Sequence, residues 1–219
     1  MIEFLKVTKK YSRKTVLDDI TFKIEHGDFM ILTGKSGAGK TTLLYALLGA
    51  EHLSKGKIIV DGFDVTRAKQ HDLQDFRRQV GMVFQDYKLL PRKTVFENIS
   101  FALEVCGYPK HDIQKRTVEA MRLTGLEDLR NNYPSQLSGG EKQRTGIARA
   151  IIHNPKILLA DEPTGNLDED NTKHILDLLL KINKSGTTVI LATHNKEVMK
   201  IADNKDGKLI KLEDGKLKE

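Results

Sequence analysis

Residues 34–42, Gly-Lys-Ser-Gly-Ala-Gly-Lys-Thr-Thr, have the types and spacing to hold a polyphosphate. An apolar run, Phe29 to Leu32, leads into Gly34, and Leu43, Leu44, Leu47 and Leu48 recur behind Thr42 at helical spacing. Strand, glycine-rich loop and helix with the spacing G-x-x-x-x-G-K-[ST] make backbone N–H groups converge on phosphates at the positive end of the helix. Lys40 would reach the β- and γ-phosphates, and the Thr41 hydroxyl would hold Mg²⁺. The pattern predicts binding of a nucleoside triphosphate.

Further chemistry sits at the ends of other apolar runs. Ile157 to Ala160 precede Asp161-Glu162, an aspartate placed to hold Mg²⁺ and a glutamate placed to orient or deprotonate an attacking water. Gln85 follows the run at Val80 to Phe84 and offers an amide that reaches both metal and water. His194 ends the run from Thr188 and reads either as a satisfied strand-end polar residue or as a contact to a γ-phosphate. Tyr11 reads either as an exposed hairpin aromatic or as a ring that stacks on a base. Ser138-Gly139-Gly140 opens a helix, so it is either an N-cap or a second anion site, far along the chain from Lys40.

The elements that must position these groups follow from the patterning. Ile2 to Val7 and Ile20 to Ile24 read as strands around a polar turn, Lys9 to Lys14, and Lys57 to Val60 as a third strand. A polar helix is expected over 72–78. Thr94 caps a helix carrying Val95, Ile99, Leu103 and Cys106, the last read as a small core residue; a charged helix follows over 111–123. Further helices are expected over 141–153 and 170–183, and turns at Asp206-Gly207 and Asp214-Gly215. Strands alternating with helices imply an α/β fold with a mostly parallel sheet, whose ligands sit beyond the carboxyl ends of its strands. The helix-only stretch between strands reads as a helical subdomain, about 87–154, inserted into a core of 1–86 and 155–219 within one domain.

Composition narrows the setting. The 219 residues suffice for one large α/β domain. No apolar run approaches the roughly 20 residues that span a bilayer, and no signal-peptide pattern opens the chain. A single cysteine excludes an internal disulfide and suits a reducing cytoplasm. The net charge of +6 is spread along the chain, as on a solvated surface, and no nucleic-acid partner is expected.

Taken together, Leu-Ser-Gly-Gly-Glu-Lys-Gln-Arg (137–144), Gln85, Asp161-Glu162, Gly165-Asn166-Leu167-Asp168 and His194 resemble, in this order, the motif set of ATP-binding cassette ATPases. The resemblance covers essentially the whole chain. It implies the P-loop fold of that family, with an N-terminal antiparallel β subdomain, and ATP and Mg²⁺ as ligands. Tyr11 would stack on adenine, and Gly34, Lys35, Ser36, Gly37, Ala38, Gly39, Lys40, Thr41 and Thr42 would hold the phosphates. Thr41, Gln85 and Asp161 would hold the metal, Glu162 would be the catalytic base, and His194 would sense the γ-phosphate. It further implies a head-to-tail homodimer in which Ser138, Gly139 and Gly140 of one copy close over ATP bound by the other, with Asp168 in the crossing loop. Residues 80–107 and 165–168 are similar to the branch serving cell division, lipoprotein release and macrolide export, and most of all to its cell-division members. That implies a bacterial ATPase on the cytoplasmic membrane face, working with an integral membrane permease-like subunit. The alternatives are export transporters of the same branch and, more distantly, soluble nucleic-acid ATPases or a small-molecule kinase. Lys35 stands where a proline is usual and Lys142 where a glutamine is common, and neither removes a backbone donor. Residues 203–211 are more polar than the strand expected after the histidine, which leaves its pairing open.

Overall fold

Short apolar runs that are buried on both sides decide the architecture. The computed structural model describes residues 1–195, 198–200 and 207–218. Its central sheet has the order β10 (Lys216–Lys218), β9 (Lys208–Glu213), β3 (Phe29–Thr33), β8 (Thr188–Thr193), β7 (Ile157–Asp161) and β6 (Val80–Val83), parallel except for the edge strand β10. Every residue of β3, β7 and β8 is buried. Alternate side chains divide between two cores, as a strand's two-residue period requires. Met30, Leu32, Leu159, Ile190 and Ala192 join the core on one face, and Phe29, Ile31, Leu158, Ala160, Val189 and Leu191 the core on the other.

On the first face lie α1 (Lys40–Leu47), α2 (Gln70–Arg77) and a second, antiparallel sheet ordered β2 (Lys14–Ile24), β1 (Ile2–Tyr11), β4 (Lys55–Val60), β5 (Phe63–Asp64). Its Phe4 and Phe22 rings stack at 4.3 Å. The predicted turn over 9–14 is shorter: β1 and β2 stay paired up to Tyr11 and Lys14, and Ser12, at φ 51°, takes the left-handed backbone of the tight connection. The opposite face is covered by α5 (Gly139–Ile151) and α6 (Glu169–Lys184).

Among the described residues, only helices and two 3₁₀ turns (Glu127–Leu129 and Pro134–Gln136) separate β6 from β7. Here α3 (Val95–Val105), α4 (Lys110–Thr124) and α5 share a third core made by Val95, Ile99, Leu103, Met121, Leu137 and Ala148 among others. Helix α5 serves two cores: Ile147 and Ile151 face the sheet, while Ala148 and Ile152, just past its end, face α3 and α4. The fully buried Asn98 ties the loop before α3 down. Its amide donates to the carbonyls of Leu90, Lys93 and Thr94, and its oxygen accepts from Leu90 N–H at 2.7 Å. Cys106 is the half-buried C-cap of α3 and stands outside the core expected for it.

Strand β9 pairs with β3 in parallel, Met30 with Lys208 and Thr33 with Lys211, which settles the pairing left open by its polar sequence. The strand sits one place in from the edge and commits only Leu212 fully to the core, so lysines suit its outer positions. The expected turn at Asp206 lies outside the described residues. No described helix is long and apolar enough to cross a membrane.

Candidate functional site

The parallel topology brings the carboxyl ends of β3, β7 and β8 together, and the three loops leaving them bound one cavity of about 320 Å³. Tyr11, Val16, Ser36, Gly37, Gly39, Lys40, Thr41, Thr42, Gln85, Glu162 and His194 line it. A larger cavity, about 730 Å³ between α4 and the C-terminal ends of α5 and α6, touches none of these groups.

Gly39 caps α1 at φ 104°, and a Cβ there would meet the Val16 carbonyl at 2.8 Å, so the turn into the helix requires glycine twice over. This turn sets Lys40 at the first position of α1. Its Nζ donates to the carbonyls of Gly34 at 2.8 Å and Lys35 at 3.3 Å and pairs with Glu162 Oε1 at 3.2 Å. The Thr41 hydroxyl donates to Asp161 Oδ1 at 3.1 Å across 120 residues of chain. Burial, the largest influence on Asp161, raises its pKa, with Thr41 and Lys40 pulling the other way.

Glu162 follows β7 with φ 47°, a left-handed conformation costly for a residue with a Cβ. Its N–H donates to the Ala192 carbonyl at 2.8 Å, so the neighbouring strand holds the kink. The carboxylate is thereby turned toward β8, where Oε1 lies 2.8 Å from His194 Nδ1 and Oε2 accepts from His194 N–H at 3.3 Å. Glu162 is thus clasped between a lysine and a histidine. Lys40, Thr41, Asp161, Glu162 and His194 come together at one spot. Gln85 joins them from the end of β6.

Ser138, Gly139 and Gly140 do not line this cavity. Ser138 N-caps α5 in a capping box: its Oγ accepts from Glu141 N–H at 3.3 Å, and Glu141 Oε2 accepts from Ser138 N–H at 2.7 Å. A Cβ on Gly139 would meet the Leu167 side chain at 3.3 Å, and one on Gly140 would strike the Asn171 side chain. Asp168 caps α6 by accepting from Asn171 N–H at 2.8 Å. The loop at 137–140, the signature loop, and the loop at 165–168 are therefore neighbours, apart from the phosphate loop of the same chain. The N–H bond from Ser138 holds the Glu141 carboxyl below its usual range. A depressed carboxylate stabilises the fold above the ordinary glutamate range and loses that contribution as pH falls through the lowered value. Glu141→Gln should therefore flatten the acid side of a melting-temperature profile between pH 7 and 3, and cost about 0.3–1 kcal/mol near neutrality.

Arg149 escaped the sequence reading. From α5 its guanidinium donates to the carbonyls of Lys88 at 2.7 Å and Tyr87 at 2.8 Å. Tyr87 and Lys88 are consecutive residues with positive φ, so Arg149 fixes a strained segment two residues beyond Gln85. An arginine between alanines on the inward stretch of a helix was the available signal.

Residues 17–165 match the family described as ABC transporter. The chain belongs to the ATP-binding cassette transporter family, and it is an ATPase. Among curated proteins it is 44% identical over 218 residues to the cell division ATP-binding protein FtsE of Streptococcus pneumoniae, covering 99% of this chain and 94% of that one. The FtsE of Escherichia coli K12 is likewise 44% identical, over 99% of this chain and 97% of its own. Among solved structures, the dimeric ATP-binding cassette MJ0796 in a post-hydrolysis state bound to ADP and Pi superposes with a TM-score of 0.89 at 33% identity, covering 100% of this chain and 97% of that one. The cbiO1 cassette from Clostridium perfringens, part of the ABC transporter complex cbiONQ, superposes with a TM-score of 0.90 at 28% identity, over 100% of this chain and 86% of its own.

Proposed function

We propose that this ATPase works as an FtsE-like cell-division subunit, closing as a head-to-tail homodimer on ATP and passing the motion to an FtsX-like integral membrane protein at the cytoplasmic face of a bacterial membrane. On this reading the partner, rather than a transported solute, receives the work and controls cell-wall hydrolysis. The FtsE relatives, similar over nearly the full chain, support the cell-division role. The observation that carries the dimer is the separation of Ser138–Gly140 from the cavity lined by Tyr11, the phosphate loop, Gln85, Glu162 and His194. A second anion-binding helix start turned away from its own phosphate loop is useful to a phosphate held by another copy.

In that dimer, residues 34–42 hold the phosphates through backbone N–H groups and Lys40, and Tyr11 stacks on adenine. Thr41, Gln85 and Asp161 hold Mg²⁺. A hydroxyl, an amide oxygen and a carboxylate are the hard oxygen donors this ion takes, and Thr41 and Asp161 already lie within one hydrogen bond of each other. The ion's contribution is to draw charge from the β- and γ-phosphates. Glu162 accepts the proton of the attacking water, His194 contacts the γ-phosphate, and Asp168 lies at the crossing between copies. The mechanical division places residues 87–154 as the lever that reaches the membrane partner, carried on a core of 1–86 and 155–219.

Two inactive variants test the arrangement. Lys40→Ala disables the phosphate loop, and Gly139→Asp sets a carboxylate against the phosphate that the signature loop would meet. In a head-to-tail pair, a mixed dimer has one site with both lesions and one site with neither. Mixing the two proteins should therefore restore ATP hydrolysis that neither shows alone. No recovery over a range of mixing ratios would place both motifs at the same copy's site. For the membrane role, the chain isolated from native membranes should bring a polytopic membrane protein with it, and recovery only as a free soluble protein would overturn that assignment.

A further inference from the structure

A lysine points into the protein behind Tyr11, where a strand residue beside an exposed tyrosine would ordinarily face water. Lys9 is 9% exposed, while its neighbours Lys10 and Tyr11 are exposed. The β1–β2 ladder slips twice around it, between Val7 and Lys9 and again between Lys9 and Lys10, so Val7, Thr8 and Lys9 are buried in succession. The segment after α1 is strapped to the same stretch of β1. Ser54 N–H donates to the Thr8 carbonyl at 2.8 Å, and Lys10 N–H donates to Ser54 Oγ at 2.9 Å. This brings Glu51 and His52 to the lysine. Its Nζ donates to the His52 carbonyl at 2.7 Å and pairs with Glu51 Oε2 at 2.8 Å. The same ammonium stands 4.4 Å from the centroid of the Tyr11 ring. Burial and the neighbouring Glu51 carboxylate raise the pKa of the Tyr11 phenol, with Lys9 and Thr42 pulling the other way.

We infer that Lys9, held by Glu51 and the His52 carbonyl, is a positioning residue that fixes the Tyr11 ring and makes its cavity-side face a better platform for a purine base. The inference rests on the reading that Tyr11 stacks on the base of ATP. A cation on one face of an aromatic ring draws on its π-electrons, which favours an electron-rich base on the other face. It also holds the ring in one orientation before the nucleotide arrives, so less ordering is needed on binding. The charge is used through the ring; the phosphates are held elsewhere in the cavity, at residues 34–42.

The test compares ATP with inorganic tripolyphosphate, which carries the phosphates and no base, as ligands of the full chain. Lys9→Met should raise the Kd and KM for ATP about three- to tenfold with little change in kcat, and should leave tripolyphosphate affinity unchanged. Tyr11→Ala should weaken ATP at least as much, and Lys9→Met should add nothing in the Tyr11→Ala background. Glu51→Gln keeps the buried ammonium but loosens its anchor, so it should show the same ligand pattern at smaller size, and it carries the test if Lys9→Met fails to fold. Equal weakening of both ligands, an undiminished Lys9→Met effect without Tyr11, or no effect on ATP would each overturn the inference. An unaffected ATP affinity in Tyr11→Ala would instead overturn the stacking reading on which it rests.

Discussion

Glu162→Gln should bind ATP, hydrolyse it roughly 10²- to 10³-fold more slowly than the parent, and accumulate as a dimer when ATP is saturating. The expectation follows from how the residue is held. Its left-handed backbone and the bond from its N–H to Ala192 fix where the carboxylate points, and neither depends on the side-chain charge. Glutamine is nearly the same shape, so the amide should occupy the same place between Lys40 and His194. What it lacks is basicity: an amide accepts a hydrogen bond from the attacking water but cannot take its proton. It also lacks the negative charge that would face a γ-phosphate in a site where Glu162 is 8% exposed. Removing that repulsion should tighten ATP binding while chemistry slows, so the closed dimer outlives its normal span. Size-exclusion chromatography with saturating ATP, beside a phosphate-release assay, reads both effects. A variant that stays monomeric under those conditions would remove the ATP-closed dimer from the mechanism, and one that hydrolyses at the parent's rate would remove Glu162 as the base.

The parts of the site visible in the sequence are those where a residue type has a single chemical use at its spacing. Gly39, Lys40 and Thr41 are of this kind, as is Asp161-Glu162 behind four apolar residues. Helix starts were also legible, because capping boxes are local: Thr94 with Glu97 and Ser138 with Glu141 lie three residues apart and satisfy each other without help from the rest of the fold. The residues that sequence reading passed over act across the chain. Arg149 grips carbonyls 61 and 62 residues away, and Lys9 reaches Glu51 and His52 only because the ladder slips in β1. A one-residue slip reverses the facing of a side chain, and nothing in the run Val-Thr-Lys-Lys-Tyr announces it. The capping function of Asp168 was hidden for another reason. The resemblance implies a place for that residue at a crossing between copies, while its carboxylate also satisfies the first turn of α6. Polar β9 shows the converse limit, since pairing beside β3 is imposed by the backbone ladder and only Leu212 had to be apolar for it.

Lys40→Ala should lose ATP affinity by about 2–4 kcal/mol, on the order of 30- to 1000-fold in Kd, because charge-assisted bonds to two phosphates disappear from a buried site. The lysine is 6% exposed, and its ammonium lies against the Gly34 carbonyl, the Lys35 carbonyl and Glu162. These partners make the variant structurally consequential as well. Removing one side of a buried ion pair costs about 3–5 kcal/mol when the other charge is left alone. Here Glu162 keeps His194 at 2.8 Å, and the cavity admits water once the lysine is gone, so the loss of stability should fall below that range. The two effects separate cleanly by measurement. Urea unfolding without nucleotide reads the lost clasp, and calorimetric titration with ATP at low temperature, where the variant remains folded, reads the lost phosphate contact. Lys40→Arg retains the charge but carries it on a larger planar group that cannot place its donors as an ammonium does. It should recover most of the stability and only part of the affinity. If ATP affinity survives Lys40→Ala, the phosphates are not held at residues 34–42, and the assignment of the cavity fails with it.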